Sequence, residues 1–505
     1  MARETPPLIS KSRYLSGLLC PKLLWCHYND REIFPPVDPV RQAIFDQGHR
    51  VGEMARDLFP GGLLISGERH RAEEVVPETH RHLPLRVPLF EAGFVYRNAY
   101  ARVDVLEPVE ADRWDLYEVK SSTRVKNEHI PDVAFQRHIL AGAGVEVRSC
   151  YLLHVDNQYV LQGELDLGRF FNAEDVTEET AGLLPAIDDD LERMTEVVLS
   201  ERCPEVGIGV QCTSPYECSL KSVCWDFLPE DSVTTLHGDR AKGFKLLERG
   251  VTELRELPED VFLTGKQRIQ VEALRSQRVH LSRPEVQQFL AGLEYPIHYL
   301  DFETFMPAIP LLDGTRPYQQ IPFQFSCHVV GSPQGASEHH SCLAEESQDP
   351  RTGLLAELRR AIRPTGSVVV YNAPFERGVL RDLAATDDDL FDWWEDLDGR
   401  LVDLFAPFRS FHAYHPEQHG SASMKDVLPA FTGLDYGHLP IADGMAASTE
   451  YFRVTYTDVP EEERVRVYRE LREYCDLDTE GMMRIVERLR ELVDNEWLTD
   501  SKVKG

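Results

Sequence analysis

The apolar run Ile297-His-Tyr-Leu300 passes directly into Asp301-Phe-Glu303-Thr304, and this junction constrains the chain more than any other. Such a run predicts a buried strand, and carboxylates at i and i+2 of a strand project from the same face, so Asp301 and Glu303 can share one pair of divalent cations. Far downstream, apolar residues recur at helical spacing from Val465 to Val493. That pattern puts Tyr474 and Asp478, four apart in Tyr474-Cys-Asp-Leu-Asp478, on one helical face. Between these ends, Val368-Val-Val-Tyr371-Asn372-Ala-Pro-Phe-Glu376 reads as a short buried strand with an amide at its tail, then a helix carrying Glu376 in its first turn. The three pieces together predict a metal site with a phenol that positions water.

Strand acids, a strand-to-helix acid, then a helical Tyr and Asp: this order, over residues 295 to 495, resembles the DnaQ-like, DEDDy exonuclease superfamily. The resemblance implies an RNase H-like mixed sheet with helices. It implies magnesium or manganese held by Asp301, Glu303, Glu376 and Asp478, water oriented by Tyr474, and 3'-to-5' exonucleolysis. Glu376 stands where the superfamily usually has Asp, and its extra methylene changes the fit to an octahedral magnesium shell. Asp403, in Leu401-Val-Asp-Leu-Phe, has two readings: a ligand in place of Glu376, or a strand-end carboxylate that caps or positions the next helix. Each short motif alone is common in an acidic chain. Their joint order beside apolar strands gives the reading its weight.

A second constellation lies upstream. Ala101-Arg-Val-Asp104-Val-Leu and Trp114-Asp-Leu-Tyr-Glu118-Val-Lys120-Ser121 alternate in polarity across a polar turn and predict a β-hairpin. Glu118 and Lys120 then project together, with Asp104 on the neighbouring strand. Paired carboxylates can bind a cation, and the lysine can orient the attacking water or stabilise charge on phosphorus. Gln136 follows on a helix-like stretch, Pro131 to Leu140, ahead of the apolar strand Ser149 to His154. Asp, Glu-x-Lys and a helical Gln resemble PD-(D/E)XK nucleases of the RecB type. Many of these carry Gly-x-x-x-His. Here Gly48-His49-Arg-Val-Gly52 puts the histidine three residues early, which leaves His49 as either a shifted ligand or a surface residue.

Cys212, Cys218 and Cys224 recur at intervals of six, and Cys20-Pro-Lys-Leu-Leu-Trp25 lies near the N-terminus. One cysteine before the core and three after it resemble the iron-sulfur subgroup of RecB-type nucleases, which includes the CRISPR-associated adaptation nucleases. The resemblance implies that these four thiolates hold a [4Fe-4S] cluster tying the ends of the domain together, with zinc as the alternative. Cys26 and Cys203 are rivals for places in the set. Cys150, Cys327, Cys342 and Cys475 read as small buried apolar residues.

At 505 residues there is room for two or three domains. The expected division is a RecB-type domain over 8–230, a helical linker over 231–294 with possible nucleic-acid contact, and a DnaQ-like domain over 295–497, both domains α/β. In the linker, Ala241 to Leu254 followed by Leu257-Pro258 reads as helix, turn at Gly250, short helix. No run approaches a membrane span and no signal-peptide core is evident, so the expectation is a cytoplasmic protein. The formal net charge of -31 opposes phosphate binding, so local basic groups must supply it: Arg124 and Lys126, Lys242 to Lys245, Lys266 to Arg268. Acidic runs at Asp188–Asp190, Asp387–Asp389 and Glu461–Glu463 read as solvated faces or helix N-terminal charge. The expected activity is metal-dependent hydrolysis of phosphodiesters at two sites, DNA ahead of RNA. The alternative is a nucleic-acid-binding or scaffold protein with a structural or redox cluster and one or both sites inactive.

Overall fold

A computed structural model describes residues 6–68, 71–110, 112–385 and 390–495; the acidic run 387–389 and the last two residues of the expected 295–497 domain lie outside them. The chain forms two compact units of mixed α/β structure, one comprising residues 1–226 with 307–319, the other 227–306 with 320–505. The segment expected as a free-standing linker is thus counted in the second unit. Among the described residues no helix is long and apolar enough to cross a membrane.

The first unit is built on a mixed sheet with strands β1 (Ile9–Ser10), β2 (Leu63–Leu64), β3 (Leu89–Tyr96), β4 (Ala99–Pro108), β5 (Arg113–Lys120), β6 (Glu146–Val155) and β7 (Phe171–Asp175). Their order is β2-β3-β4-β5-β6-β7, and β1 pairs with the start of β4. β4 and β5 form the expected antiparallel hairpin, with Val105 opposite Tyr117, and β6 lies parallel to β5. The helices are α1 (Lys11–Leu19), α2 (Pro21–Asn29), α3 (Pro39–Ala55), α4 (Ala72–His82), α5 (Ile130–Gly142), α6 (Leu167–Phe170), α7 (Thr177–Leu199) and α8 (Lys221–Cys224). Strand alternation divides the apolar core: Leu152 packs with Phe135, Ile139 and Leu191 of α5 and α7, whereas Leu153 joins Val51 of α3 and Phe170. α5 opens on Pro131 in its first turn. Its chain reversal into β6 uses Gly144 at φ +83°, a conformation that costs a residue without Cβ little.

In the second unit, β9 (Ile297–Phe305), β10 (Ile321–Val330), β11 (Ser337–Leu343), β12 (Val368–Val370) and β13 (Leu401–Asp403) form a sheet in the order β11-β10-β9-β12-β13. β9, β10 and β11 are antiparallel neighbours, and β12 and β13 run parallel to β9. β8 (His280–Leu281) pairs separately with β14 (Ala413–Tyr414). The helices continue as α9 (Arg240–Glu248), α10 (Gly265–Ser276), α11 (Arg283–Ala291), α12 (Arg351–Ala361), α13 (Ala373–Ala384), α14 (Phe391–Asp398), α15 (Phe405–Arg409), α16 (Met424–Thr432), α17 (Gly444–Tyr456) and α18 (Glu461–Asp494).

The helix–turn–helix reading of the connecting segment is realised as α9, Gly250 at φ +81° and a single 3-10 turn at Leu254–Glu256. These elements close over Val233, Leu246, Leu257 and Leu274, an apolar cluster of their own. In β9, Leu300 and Phe302 enter a core with Leu354, Leu358, Val379 and Leu380 of α12 and α13. Period-two alternation turns Asp301 and Glu303 to the opposite face, where α17 and α18 pack.

Candidate active sites

The expected acids of the second unit converge. Asp301 and Glu303 lie on β9, Glu376 in the first turn of α13, and Asp478 one helical turn after Tyr474 on α18. Glu303 and Glu376 are buried, with 5 % and 1 % exposure, and Asp301 and Asp478 are half-buried. β12 ends at Val370 beside β9, so the turn into α13 delivers Glu376 to the carboxyl end of a parallel pair, where open α/β sheets place their ligands. That turn passes through Asn372 at φ +79°, a left-handed conformation that Asn tolerates better than most residues.

Electrostatics set these acids against one another. Burial, then the charge of Asp478, pushes the Asp301 carboxyl well above its ordinary range; burial, then Asp301 and Asp478, does the same to Glu303. Glu376 is raised by burial and by Asp301, and its Oε2 is buried with no hydrogen-bond partner among the described residues. Asp478 is pushed up to about 6 by burial, opposed by a hydrogen bond donated by the Tyr436 hydroxyl and by the charge of Lys425. Tyr474 is held protonated by burial and by the charges of Asp478, Glu303 and Asp301.

The structure adds several residues that motif reading missed. Cys475, expected as a plain apolar residue, is indeed buried, but its thiol donates to Asp301 Oδ2 at 3.8 Å. Its sulfur and ligand oxygens of Asp301 and Glu303 all lie within 4.8 Å of one another. Tyr436, Lys425 and Asp443 are the others. Asp403 Oδ1 accepts from the backbone N–H of Phe405 at 3.0 Å and of Asn372 at 3.1 Å, fixing the start of α15 and the turn that carries Glu376, as a capping carboxylate does.

In the first unit Asp104, Glu118, Lys120 and Gln136 also meet. Lys120 Nζ donates to Glu118 Oε1 and to Asp132 Oδ2, both at 2.6 Å, and Gln136 Nε2 donates to Glu118 Oε2 at 2.7 Å. Asp104 Oδ2 accepts the Val119 N–H at 2.8 Å, which pins β4 to β5 at the point where their side chains meet the site. Two participants are new. Lys11 of α1 donates to Glu118 at 2.7 Å and lies 3.5 Å from Asp132, while Asp132, one turn before Gln136 on α5, accepts from Gln136 at 3.1 Å. Burial works against the charge on Glu118, but Lys11 and Lys120 outweigh it and hold the carboxyl well below its ordinary range. Asp104, with burial and the Glu118 charge against it, is pushed up to about 7. His49 is exposed on α3.

Cys20, Cys212, Cys218 and Cys224 line one small cavity together with Lys22, Lys221 and Gly207. Burial raises the Cys20 thiol, while the backbone N–H groups of Leu23 and Lys22 at the start of α2 pull it down. Cys26 and Cys203 take another arrangement: their thiols hydrogen-bond to each other, and burial pushes Cys26 up to about 12. Two of the basic groups expected to meet phosphate are occupied within the second unit. Lys242 Nζ donates to the Phe262 carbonyl and to Gln267, and Lys266 Nζ to the Arg409 carbonyl.

Residues 298–423 match the model of a family described as a domain of unknown function (DUF2779). That span holds Asp301, Glu303, Glu376 and Asp403 and ends before Tyr474 and Asp478. The chain is also similar to the "Uncharacterized protein MG366 homolog" of Mycoplasma pneumoniae (strain ATCC 29342 / M129 / Subtype 1), with 23% identity over 227 residues. The match covers 39% of this chain and 32% of that protein, so the chain spans about a third of the relative's length.

Proposed function

We propose that this chain is a metal-dependent nuclease with one phosphodiester-hydrolysing site in each compact unit, acting on DNA in preference to RNA. The observation that carries the reading is the meeting of Asp301, Glu303, Glu376 and Asp478. Burial raises the pKa of all four, the charges of their neighbours add to this for Asp301, Glu303 and Glu376, and one of them has a buried oxygen unpartnered among the described residues. A cluster of like charges with oxygen donors suits hard divalent cations and costs stability without them. On this reading the second unit is an RNase H-like, DnaQ-type exonuclease domain cutting 3'-to-5', and the first has a PD-(D/E)XK core.

Bound among the four acids, Mg2+ or Mn2+ would polarise the phosphodiester and acidify the attacking water. Tyr474 keeps its proton and can direct a lone pair of that water at phosphorus. Tyr436 fixes the carboxylate of Asp478, and Lys425 offsets part of the negative charge facing the substrate. In the first unit Asp104 and Glu118 are the metal donors. Lys120 orients water, and Gln136 and Asp132 hold Glu118 and Lys120 in place. The four cysteines facing one cavity, with lysines and N–H groups at hand to stabilise thiolate, suit a [4Fe-4S] cluster; zinc is the alternative occupant.

The test is degradation of end-labelled single-stranded and duplex DNA and RNA with Mg2+ or Mn2+, comparing wild type with Glu118→Ala, Asp301→Ala and the double variant. Each single variant is expected to remove one separable activity, and the double variant all cleavage. Wild type that binds nucleic acid but cuts none with either metal would replace this reading with a binding or scaffold role.

A further inference from the structure

A hollow of about 670 Å³ in the first unit opens beside Asp104 and Lys11. Its walls include Lys11, Arg13, Arg31 and Arg102 against the carboxylates Glu91 and Asp104. In a chain of net charge -31, four cations around one hollow are a local reversal of sign. Glu91 is already taken, 2.9 Å from Arg102 and 3.4 Å from Arg56. Arg13 and Arg31 instead face each other as like charges, and neither is ion-paired to a carboxylate among the described residues. Burial, with the Arg31 charge beside it, lowers the Arg13 pKa, a cost that a bound anion would remove.

Ser10, Lys11 and Ser12, at the start of the nine-residue helix α1, line the same wall. Guanidinium forks around one hollow match the tetrahedral oxygens of phosphate better than a planar carboxylate.

We infer that this hollow is a phosphate subsite of the first unit, in which Arg13 and Arg31 grip a polynucleotide strand beside Asp104 and Glu118. The inference rests on reading that unit as a phosphodiester hydrolase, and its test reads binding rather than cleavage, so the two can fail separately. Fluorescence anisotropy of short single-stranded DNA, carrying either a 5'-phosphate or a 5'-hydroxyl, would be measured on the full chain in chelator without divalent metal. The comparison is wild type against Arg31→Ala, Arg13→Ala/Arg31→Ala and, as a control on an exposed arginine elsewhere in the unit, Arg81→Ala.

The double variant is expected to bind at least about ten-fold more weakly, with a shallower dependence on salt. Arg31→Ala, at an exposed position that tolerates truncation, should show the same change at smaller amplitude, and Arg81→Ala none. A wild-type preference for the 5'-phosphate that vanishes in the double variant assigns the subsite to a strand end. Equal weakening for both oligonucleotides assigns it to an internal phosphodiester. Wild-type affinity and salt dependence in the double variant would overturn the inference, whether or not the chain cleaves with metal.

Discussion

Glu376 is a carboxylate 1 % exposed, in the field of Asp301 and Asp478, with one oxygen unpartnered among the described residues. The sign of the pH dependence follows. Asp301, Glu303, Glu376, Asp478 and Asp104 all have folded-state pKa values above their ordinary ones. The stability they contribute is complete below the ordinary carboxylate range and is lost as pH rises through the folded values, about 6 for Asp478 and about 7 for Asp104. Glu118 runs the other way, since its depressed pKa contributes above its ordinary 4.5 and fades as pH falls below it. Thermal unfolding in chelator is therefore expected at a higher temperature at pH 5.5 than at pH 8, and Mn2+ should raise the midpoint by several degrees more at pH 8. Equal metal shifts at both pH values would contradict the shared acid site. Tyr436→Phe removes the hydrogen bond that favours ionised Asp478, so the pH midpoint for Mn2+ binding, followed by titration calorimetry, should move upward. An unchanged midpoint would mean that Tyr436 only packs against Tyr474.

Among elements, α18 contributes most to the second site: from 34 residues it sends Tyr474, Cys475 and Asp478 toward β9 while its apolar stripe packs the unit. Its approach to α16 depends on Gly481, where a Cβ would lie 2.8 Å from side-chain atoms of both Leu428 and Met424. Gly481→Val should push the two helices apart and destabilise by roughly 1–3 kcal/mol. Because α16 carries Lys425, Mn2+ affinity should change together with the melting temperature, a coupling that calorimetry on the same preparation would reveal or refute. The convergence of Asp301, Glu303, Tyr474 and Asp478 was legible because periods of two and 3.6 residues fix which side chains share a face. Asp132 was equally open to discovery, four residues before Gln136 on one helix. Tyr436, Lys425 and Lys11 were not, since they arrive from a loop and from helix starts whose spacing says nothing about what lies opposite in space. Cys475 is buried as expected, and its polar neighbours Asp301 and Glu303 come from β9, which no local spacing on α18 could announce.

On the scale of the whole molecule, length left room for two or three domains and the motifs pointed to two α/β ones, but neither showed how the chain is shared between them. Residues 307–319, which connect β9 to β10, are counted with the first unit, where they are held by definite bonds. The Ala308 N–H donates to Gln47 at 3.0 Å, Leu161 N–H to the Thr315 carbonyl at 3.0 Å, Gly163 N–H to Asp313 at 2.9 Å, and the Tyr318 hydroxyl to the Ser121 carbonyl. A hairpin connection has no periodicity that would announce such a destination. A fragment ending at Asp226 is expected to melt lower and to expose the apolar surface that Ala308 and Ile309 cover, seen as increased binding of a hydrophobic dye relative to the full chain. A fragment as stable and as dye-silent as the parent would show that the connection is dispensable. Because the first unit closes only after the second has been begun along the chain, no single stretch of gene encodes the first without also encoding part of the second.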